Sequence, residues 1–78
     1  MTGKEKILLR FASHLTRVRQ EKGYSIRQLA AASGLEYSQV QRIEKGKVNF
    51  AFTTLVSLAQ GLDIEIHVLL EAYKPPRV

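Results

Sequence analysis

The 78-residue sequence contains no cysteine, no tryptophan, only two prolines and no long run of apolar residues. Without cysteine there is no disulfide framework, so the stability of so short a chain must come from packing or self-association. No apolar run approaches the roughly 18–20 residues that a membrane span needs, and charges interrupt the N-terminal segment too often for a secretory signal. We therefore expect one small cytoplasmic domain, residues 1–78, that makes no contact with a membrane.

Positive charge is concentrated in the first two thirds of the chain. The sequence has a formal net charge of +5 and a pI near 9.9. Residues 1–49 carry ten Lys or Arg against four Glu, whereas residues 50–78 carry two Lys or Arg against three acids. This asymmetry points to an anionic partner of the first part of the chain, although an ordinary solvated surface with some excess lysine has the same composition.

Two helices are predicted in the first half of the chain. Residues 4–22 have apolar side chains at spacings of three and four, typical of an amphipathic helix. Its inward stripe consists of Ile7, Leu8, Phe11, Leu15 and Val18. Ser25 and Gln28 have the spacing of a capping box, and Gly34 is a helix stop. The second helix is therefore expected over about residues 26–32.

Three further helices are predicted beyond the turn. The third covers about residues 37–45 and the fourth about residues 52–61. The inward stripe of the fourth consists of Phe52, Leu55, Val56 and Ala59. Residues 64–70 alternate as in a strand, but residues 66–73 also have helical spacing, and we favour the helix. Two consecutive prolines then end regular structure, leaving a tail at residues 74–78.

Two short helices joined by a tight turn match the helix-turn-helix, in which the first helix of the pair braces the second across DNA. Ala30 is small where the two helices must approach each other. Gly34 permits the turn, and Leu35 and Val40 can anchor it to the core. Helical hairpins that bind no nucleic acid share this spacing, so a helical bundle without such a role remains the alternative at this point.

The same residues resemble a known family. Residues 25–35 (SIRQLAAASGL) and 40–47 (VQRIEKGK) are similar to the helix-turn-helix of the XRE or Cro/C1-type, phage lambda repressor-like family. The similarity continues through residues 55–62 and covers about residues 10–71. It implies an all-α, five-helix, lambda-repressor-like DNA-binding domain. It also implies a sequence-specific transcriptional regulator, and we expect a repressor that binds a palindromic operator as a dimer.

The sequence departs from the family pattern at three places. Asp63 stands where glycine is usual, Phe50 where proline is common, and Glu36 where Ser or Thr caps the recognition helix. One branch of the family, the antitoxin-like repressors, ends in a strand that pairs between subunits, and residues 64–70 also fit that form. An antitoxin-type interaction module that neutralises a toxin and regulates its own expression is therefore the alternative function.

The resemblance implies a role for each polar position of the motif. Residues expected at base edges are Tyr37, Ser38 and Arg42, with Gln39 and Gln41 at the margins. Residues expected at phosphates are Arg27, Lys45, Lys47 and Asn49. Arg19 and Glu44 resemble an internal ion pair that orients the recognition helix. For Arg42 the alternative is an internal partner, Glu36 or Glu44, and for Tyr37 it is a ring that merely covers the turn.

A single short recognition helix contacts few base pairs, so a homodimer is expected. Candidate residues for the dimer interface are Phe52, Ile66, Leu69 and Tyr73. The expected partners are double-stranded DNA, a second copy and, in the alternative, a toxin or a larger regulatory system. His14 and His67 lie far apart and are expected at surface or boundary positions. With no cysteine and no carboxylate pair at ligand spacing, we expect no enzyme activity, cofactor or metal.

Overall fold

The first two helices begin at reciprocal side-chain caps. The computed structural model describes residues 2–73, and α1 (Gly3–Glu21) starts at Thr2, whose hydroxyl accepts from the Glu5 amide while the Glu5 carboxylate accepts from the Thr2 amide. These hydrogen bonds lower the pKa of Glu5. The same box, Ser25 with Gln28, opens α2 (Ile26–Ser33) as predicted. The Thr2–Glu5 box was missed, although its Thr-x-x-Glu spacing is visible in the sequence.

The remaining chain is helical as well. α3 spans Tyr37–Glu44, α4 spans Phe52–Gly61 and α5 spans Ile66–Leu69, followed by a 3-10 turn, Leu70–Tyr73. The predicted all-α, five-helix fold is confirmed. The alternative of a strand over residues 64–70 is wrong, because the helical spacing of this segment prevails. The predicted tail, residues 74–78, lies outside the described residues.

No single helix within residues 2–73 is long and apolar enough to cross a membrane. Taken together, α4 and the segment Ile66–Tyr73 meet the same criterion of length and composition, but the two are bent by 107°.

One core joins all five helices. Its completely buried side chains are Leu15, Leu29, Val40, Ile43, Leu58, Leu62 and Leu69. They come from α1, α2, α3, α4, the residue after α4, and α5, so each helix contributes to a single cluster. The two short helices of the helix-turn-helix cannot be stable alone, since isolated helices of fewer than about 12 residues are marginal in water. Packing against this core therefore holds them.

Left-handed backbone ends each of the first four helices, at Gly23, Gly34, Gly46 and Asp63. Gly34 has φ 69° and terminates α2, as the sequence predicted. Asp63 has φ 55° after α4, the one non-glycine residue at positive φ between residues 2 and 73. Aspartate tolerates this region better than most residues because its short polar side chain can bond locally. Aspartate at position 63, where the family usually has glycine, therefore preserves the left-handed turn after α4.

Two side chains on the predicted inward stripes are exposed instead. Ile7 is 58% exposed and Phe52 is 69% exposed, although the helical spacing placed both on inward stripes. The stripe is right for the middle of each helix, but Ile7 lies in the first turns of α1, where residues 2–7 are all exposed. Phe52 is the first residue of α4 and likewise lies beyond the edge of the core.

His14 was expected at a surface or boundary position and is instead buried, with 8% of its surface exposed. Its Nε2 donates to the Val68 carbonyl oxygen at 2.7 Å, and its Nδ1 accepts from the Arg17 guanidinium at 3.0 Å. Both ring nitrogens are therefore paired, as a buried imidazole requires. His14 connects α1 to α5, which is a structural role.

α4 packs closely on the end of α2 at Gly61. A Cβ atom added there would lie 2.2 Å from the Ser33 Oγ and 3.0 Å from the Ser33 Cα. The Ser33 hydroxyl is itself buried without a hydrogen-bond partner among the described residues. Absence of a side chain at Gly61 is thus what lets α2 and α4 meet.

We expect Gly61→Ala to lower the free energy of unfolding by about 1–3 kcal/mol, because overpacking outweighs the better helix propensity of alanine. Urea denaturation measures this. Ser33→Ala is the control, expected to be neutral or slightly stabilising since it removes an unpaired buried hydroxyl. In the double variant part of the loss should be recovered, because the contact with the hydroxyl is gone. A stabilising Gly61→Ala would contradict the close approach.

Candidate nucleic-acid interface

The outer face of α3 is polar, and it is directed to the surface because the opposite face of the helix is buried. Val40 and Ile43 are buried in the core. Ser38 and Arg42, one turn apart, are therefore directed outward, and both are exposed. Gln39 and Gln41 flank this stripe and are half-buried.

Arg42 has its donors free of internal partners. Within residues 2–73 it makes no ion pair, so neither Glu36 nor Glu44 occupies it. It lies beside an open cleft between α3 and the start of α4. The cleft is lined by Glu36, Ser38, Gln39, Arg42, Val48, Phe50, Ala51 and Thr54. A planar guanidinium that lines an open cleft can form paired hydrogen bonds with an acceptor edge.

Tyr37 and Arg27 contact each other across the helix-turn-helix. The Arg27 guanidinium carbon lies 4.4 Å from the centroid of the Tyr37 ring, a close cation–π geometry. Arg27 is exposed at the start of α2, and Tyr37 is 36% exposed at the start of α3. From the sequence, Arg27 was expected at a phosphate and Tyr37 at a base edge, with no contact between them. Their contact was missed because it depends on how the two helices cross.

The loop after α3 presents the other predicted phosphate contacts. Lys45, Lys47 and Asn49 are all exposed. Gly46, with φ 69°, packs so closely on Leu9 of α1 that an added Cβ would lie 2.7 Å from the Leu9 Cδ2. This contact fixes the loop against α1 and therefore fixes where its two lysines emerge.

The predicted ion pair is present between α1 and α3. The Arg19 Nε donates to one Glu44 carboxylate oxygen at 2.6 Å, and its Nη2 donates to the other at 3.0 Å. The Thr16 hydroxyl also donates to Glu44, at 2.9 Å, and Arg19 donates to the Tyr24 carbonyl oxygen at 2.8 Å. The two charged side chains are only 11% and 6% exposed. This bidentate pair fixes the end of α3 against α1.

Glu44→Gln should destabilise the protein by about 3–5 kcal/mol, because it leaves the Arg19 charge buried without compensation. Thr16→Val is the control, since it removes one hydrogen bond from the same carboxylate and should cost about 1 kcal/mol. Chemical denaturation of both variants measures the difference. Equal, small losses would mean that the ion pair contributes no more than a single neutral hydrogen bond.

A separate apolar groove lies between α1 and the C-terminal turn. It has a volume of about 300 Å³. It is lined by Ile7, Leu8, Phe11, Asn49, Phe50, Phe52, Leu55, Leu70 and Tyr73. Three of its apolar side chains, Ile7, Phe52 and Leu70, are strongly exposed, which is unusual for a surface that faces water.

The predicted interface residues divide between this groove and the core. Phe52 and Tyr73 line the groove, and the Tyr73 hydroxyl donates to the Ile7 carbonyl oxygen. Burial raises the pKa of Tyr73. Ile66 is half-buried against the core, and Leu69 is completely buried. Leu69 therefore has no surface left for a partner, which corrects its assignment, whereas Ile7 and Leu70 are exposed residues of the groove outside the predicted set.

Comparisons with known proteins agree with this architecture. A helix-turn-helix family model matches residues 15–69. The chain is 32% identical over 63 residues to the HTH-type transcriptional regulator DdrOP3 of Deinococcus deserti, covering 81% of this chain and 49% of that protein. The chain thus spans about half the length of this curated relative.

Solved structures of controller proteins are similar over most of their length. The restriction-modification controller protein C.AhdI from Aeromonas hydrophila is 38% identical with a TM-score of 0.80, over 82% of this chain and 97% of that one. The regulator ClgR from C. glutamicum is 27% identical with a TM-score of 0.74, over 83% of this chain and 86% of that one. The chain belongs to the XRE-type helix-turn-helix family.

Proposed function

We propose that this chain is a sequence-specific transcriptional regulator that represses by occupying a palindromic operator as a homodimer, and that it acts in the cytoplasm, at the nucleoid. The observation that carries the proposal is that Arg42, which has no ion-pair partner within residues 2–73, lies outward with Ser38 on a recognition helix that is fixed from behind by the Arg19–Glu44 pair. Arginine donates two parallel hydrogen bonds to guanine O6 and N7 in the major groove. Gln39 and Gln41, half-buried, contribute at the margins.

Phosphate contacts surround this stripe. Arg27 at the start of α2, and Lys45, Lys47 and Asn49 after α3, provide exposed donors on both sides of the recognition helix. Such contacts fix the position of the protein on the duplex and carry no sequence information. The family relationship and the likeness to controller proteins such as C.AhdI support regulation of transcription as the purpose of this binding.

A second copy is the occupant we propose for the apolar groove. A two-fold interface must be complementary to itself, and this surface combines exposed apolar side chains with charges of both signs. Lys6 and Arg10 lie on the α1 side, and Glu71 on the C-terminal turn. Two copies related by a two-fold axis would pair the apolar centres and oppose these charges. Dimerisation would place the recognition helices at half-sites about 34–36 Å apart.

Arg42→Ala should remove preference for one base in each half-site, a loss of about 1–3 kcal/mol of discrimination. The measurement is selection of bound sequences from random duplex DNA at about 150 mM salt. Lys47→Ala is the control: it should weaken binding to all sequences alike and reduce the salt slope by about one. Binding of the wild type without an enriched sequence would reject specific recognition.

Phe52→Asp should convert the dimer to monomers, raising the dimer dissociation constant about tenfold or more, because it replaces buried apolar area with a charge. An aspartate in the first turn of α4 is favourable for the helix itself, so the fold should persist. Thr53→Asp is the matched control, exposed in the same turn and outside the groove. Sedimentation equilibrium measures both. An unchanged dimer in Phe52→Asp would place the interface elsewhere.

The antitoxin-type module remains the alternative prediction. A monomeric wild type that forms a stable complex with a toxin through Ile7, Phe52 and Leu70 would favour it over the homodimer. Sedimentation of the purified chain with and without the candidate toxin is the discriminating measurement, because self-association is compatible with both functions and only the antitoxin-type module binds a second protein.

A further inference from the structure

The contact between Arg27 and Tyr37 joins the two helices of the motif at their N-terminal ends. Tyr37 is the first residue of α3, and a side chain on a helix tilts toward the helix N-terminus, which here means toward α2. Gln41, one turn further along the same stripe, is half-buried, whereas the Ser38–Arg42 stripe is exposed. Tyr37 therefore belongs to the flank of α3 that faces α2 and not to its outermost face.

The stacking of Arg27 on Tyr37 limits which further contacts each of the two side chains can make. With the guanidinium carbon 4.4 Å from its centroid, one face of the Tyr37 ring is covered and cannot pack on a thymine methyl. The Arg27 guanidinium loses freedom of movement in the stack, but its N–H groups point outward from the edge of its plane. Arg27 makes no ion pair within the described part of the chain, residues 2–73. Its donors are thus held in place and available.

The dipole of α2 does not favour an arginine at this position. Arg27 is the second residue of α2, and a cation in the first turn opposes the helix dipole. The capping box already satisfies the Gln28 amide, while the amides of Ile26 and Arg27 precede the first hydrogen-bonded turn. A cation and free amides at one helix start jointly favour an anion.

We infer that Tyr37 is a positioning residue, whose ring holds the Arg27 guanidinium at the start of α2 for a DNA backbone phosphate, and that Tyr37 does not itself recognise a base. This inference rests on the proposed function. It replaces the base-edge role expected for Tyr37 from the sequence. It also makes the two residues one unit, in which the aromatic ring acts through the arginine.

The experiment measures affinity of the full chain for its selected operator and for an unrelated duplex, at several salt concentrations, with melting temperatures of every variant. Tyr37→Phe keeps the ring and should bind within about twofold of wild type. Tyr37→Leu should weaken both duplexes about two- to fivefold while keeping the salt slope, since the Arg27 charge remains. Arg27→Ala should weaken both duplexes and reduce the slope by about one. The double variant should bind no more weakly than Arg27→Ala alone.

Lys45→Ala provides the matched control, because Lys45 is an exposed cation outside the stack and its effect should add to that of Tyr37→Leu. The inference is overturned if Tyr37→Phe binds as weakly as Tyr37→Leu, if any Tyr37 variant changes base preference, or if Tyr37→Leu and Arg27→Ala are additive. It is also overturned if both lower the melting temperature without weakening DNA binding. A wild type that binds no DNA would instead overturn the proposed function, and this inference with it.

Discussion

The placement of the recognition helix depends on the ion pair between Arg19 and Glu44. α3 has eight residues and no side-chain cap at its start, so its own backbone does not stabilise it. Val40 and Ile43 press one face of α3 into the core, but hydrophobic contact alone is non-directional. The bidentate pair with Arg19 supplies the missing direction, since two parallel hydrogen bonds fix both distance and angle. Through the Tyr24 carbonyl oxygen, the same guanidinium also fixes the connection between α1 and α2.

Because Glu44 pairs with Arg19 inside the protein, it does not pair with Arg42, whose side chain stays accessible at the surface. Both carboxylate oxygens of Glu44 already accept hydrogen bonds from Arg19, and one of them also accepts from Thr16. Residues two apart on a helix do not face each other, so Arg42 is directed away from this carboxylate. The core contacts, the Arg19–Glu44 pair and the exposed Arg42 thus lie on different faces of one short helix, α3. A polar outer face is thus compatible with a stable fold because the inner faces are fully paired.

Local signals predicted most of the fold, whereas contacts between elements were predicted poorly. Capping residues and the apolar period located the helices, because these signals act over three or four residues. The apolar period failed at Ile7 and Phe52, since periodicity gives the direction of a side chain but not where the core ends. His14 was misplaced because its partner, the Val68 carbonyl oxygen, is 54 residues away in the sequence. The stack of Arg27 on Tyr37 was hidden for the same reason: it depends on the crossing of two helices.

The two helices of the motif start with opposite charges, and this difference bears on which of them approaches a phosphate. Glu36 precedes α3, where a carboxylate interacts favourably with the helix dipole but repels another anion. Arg27 begins α2, where a cation is unfavourable for the isolated helix but attracts an anion. Phosphate contact through free amides is therefore favoured at α2 and disfavoured at α3. The start of α3 is then left to the open cleft beside Arg42, which Glu36 also lines.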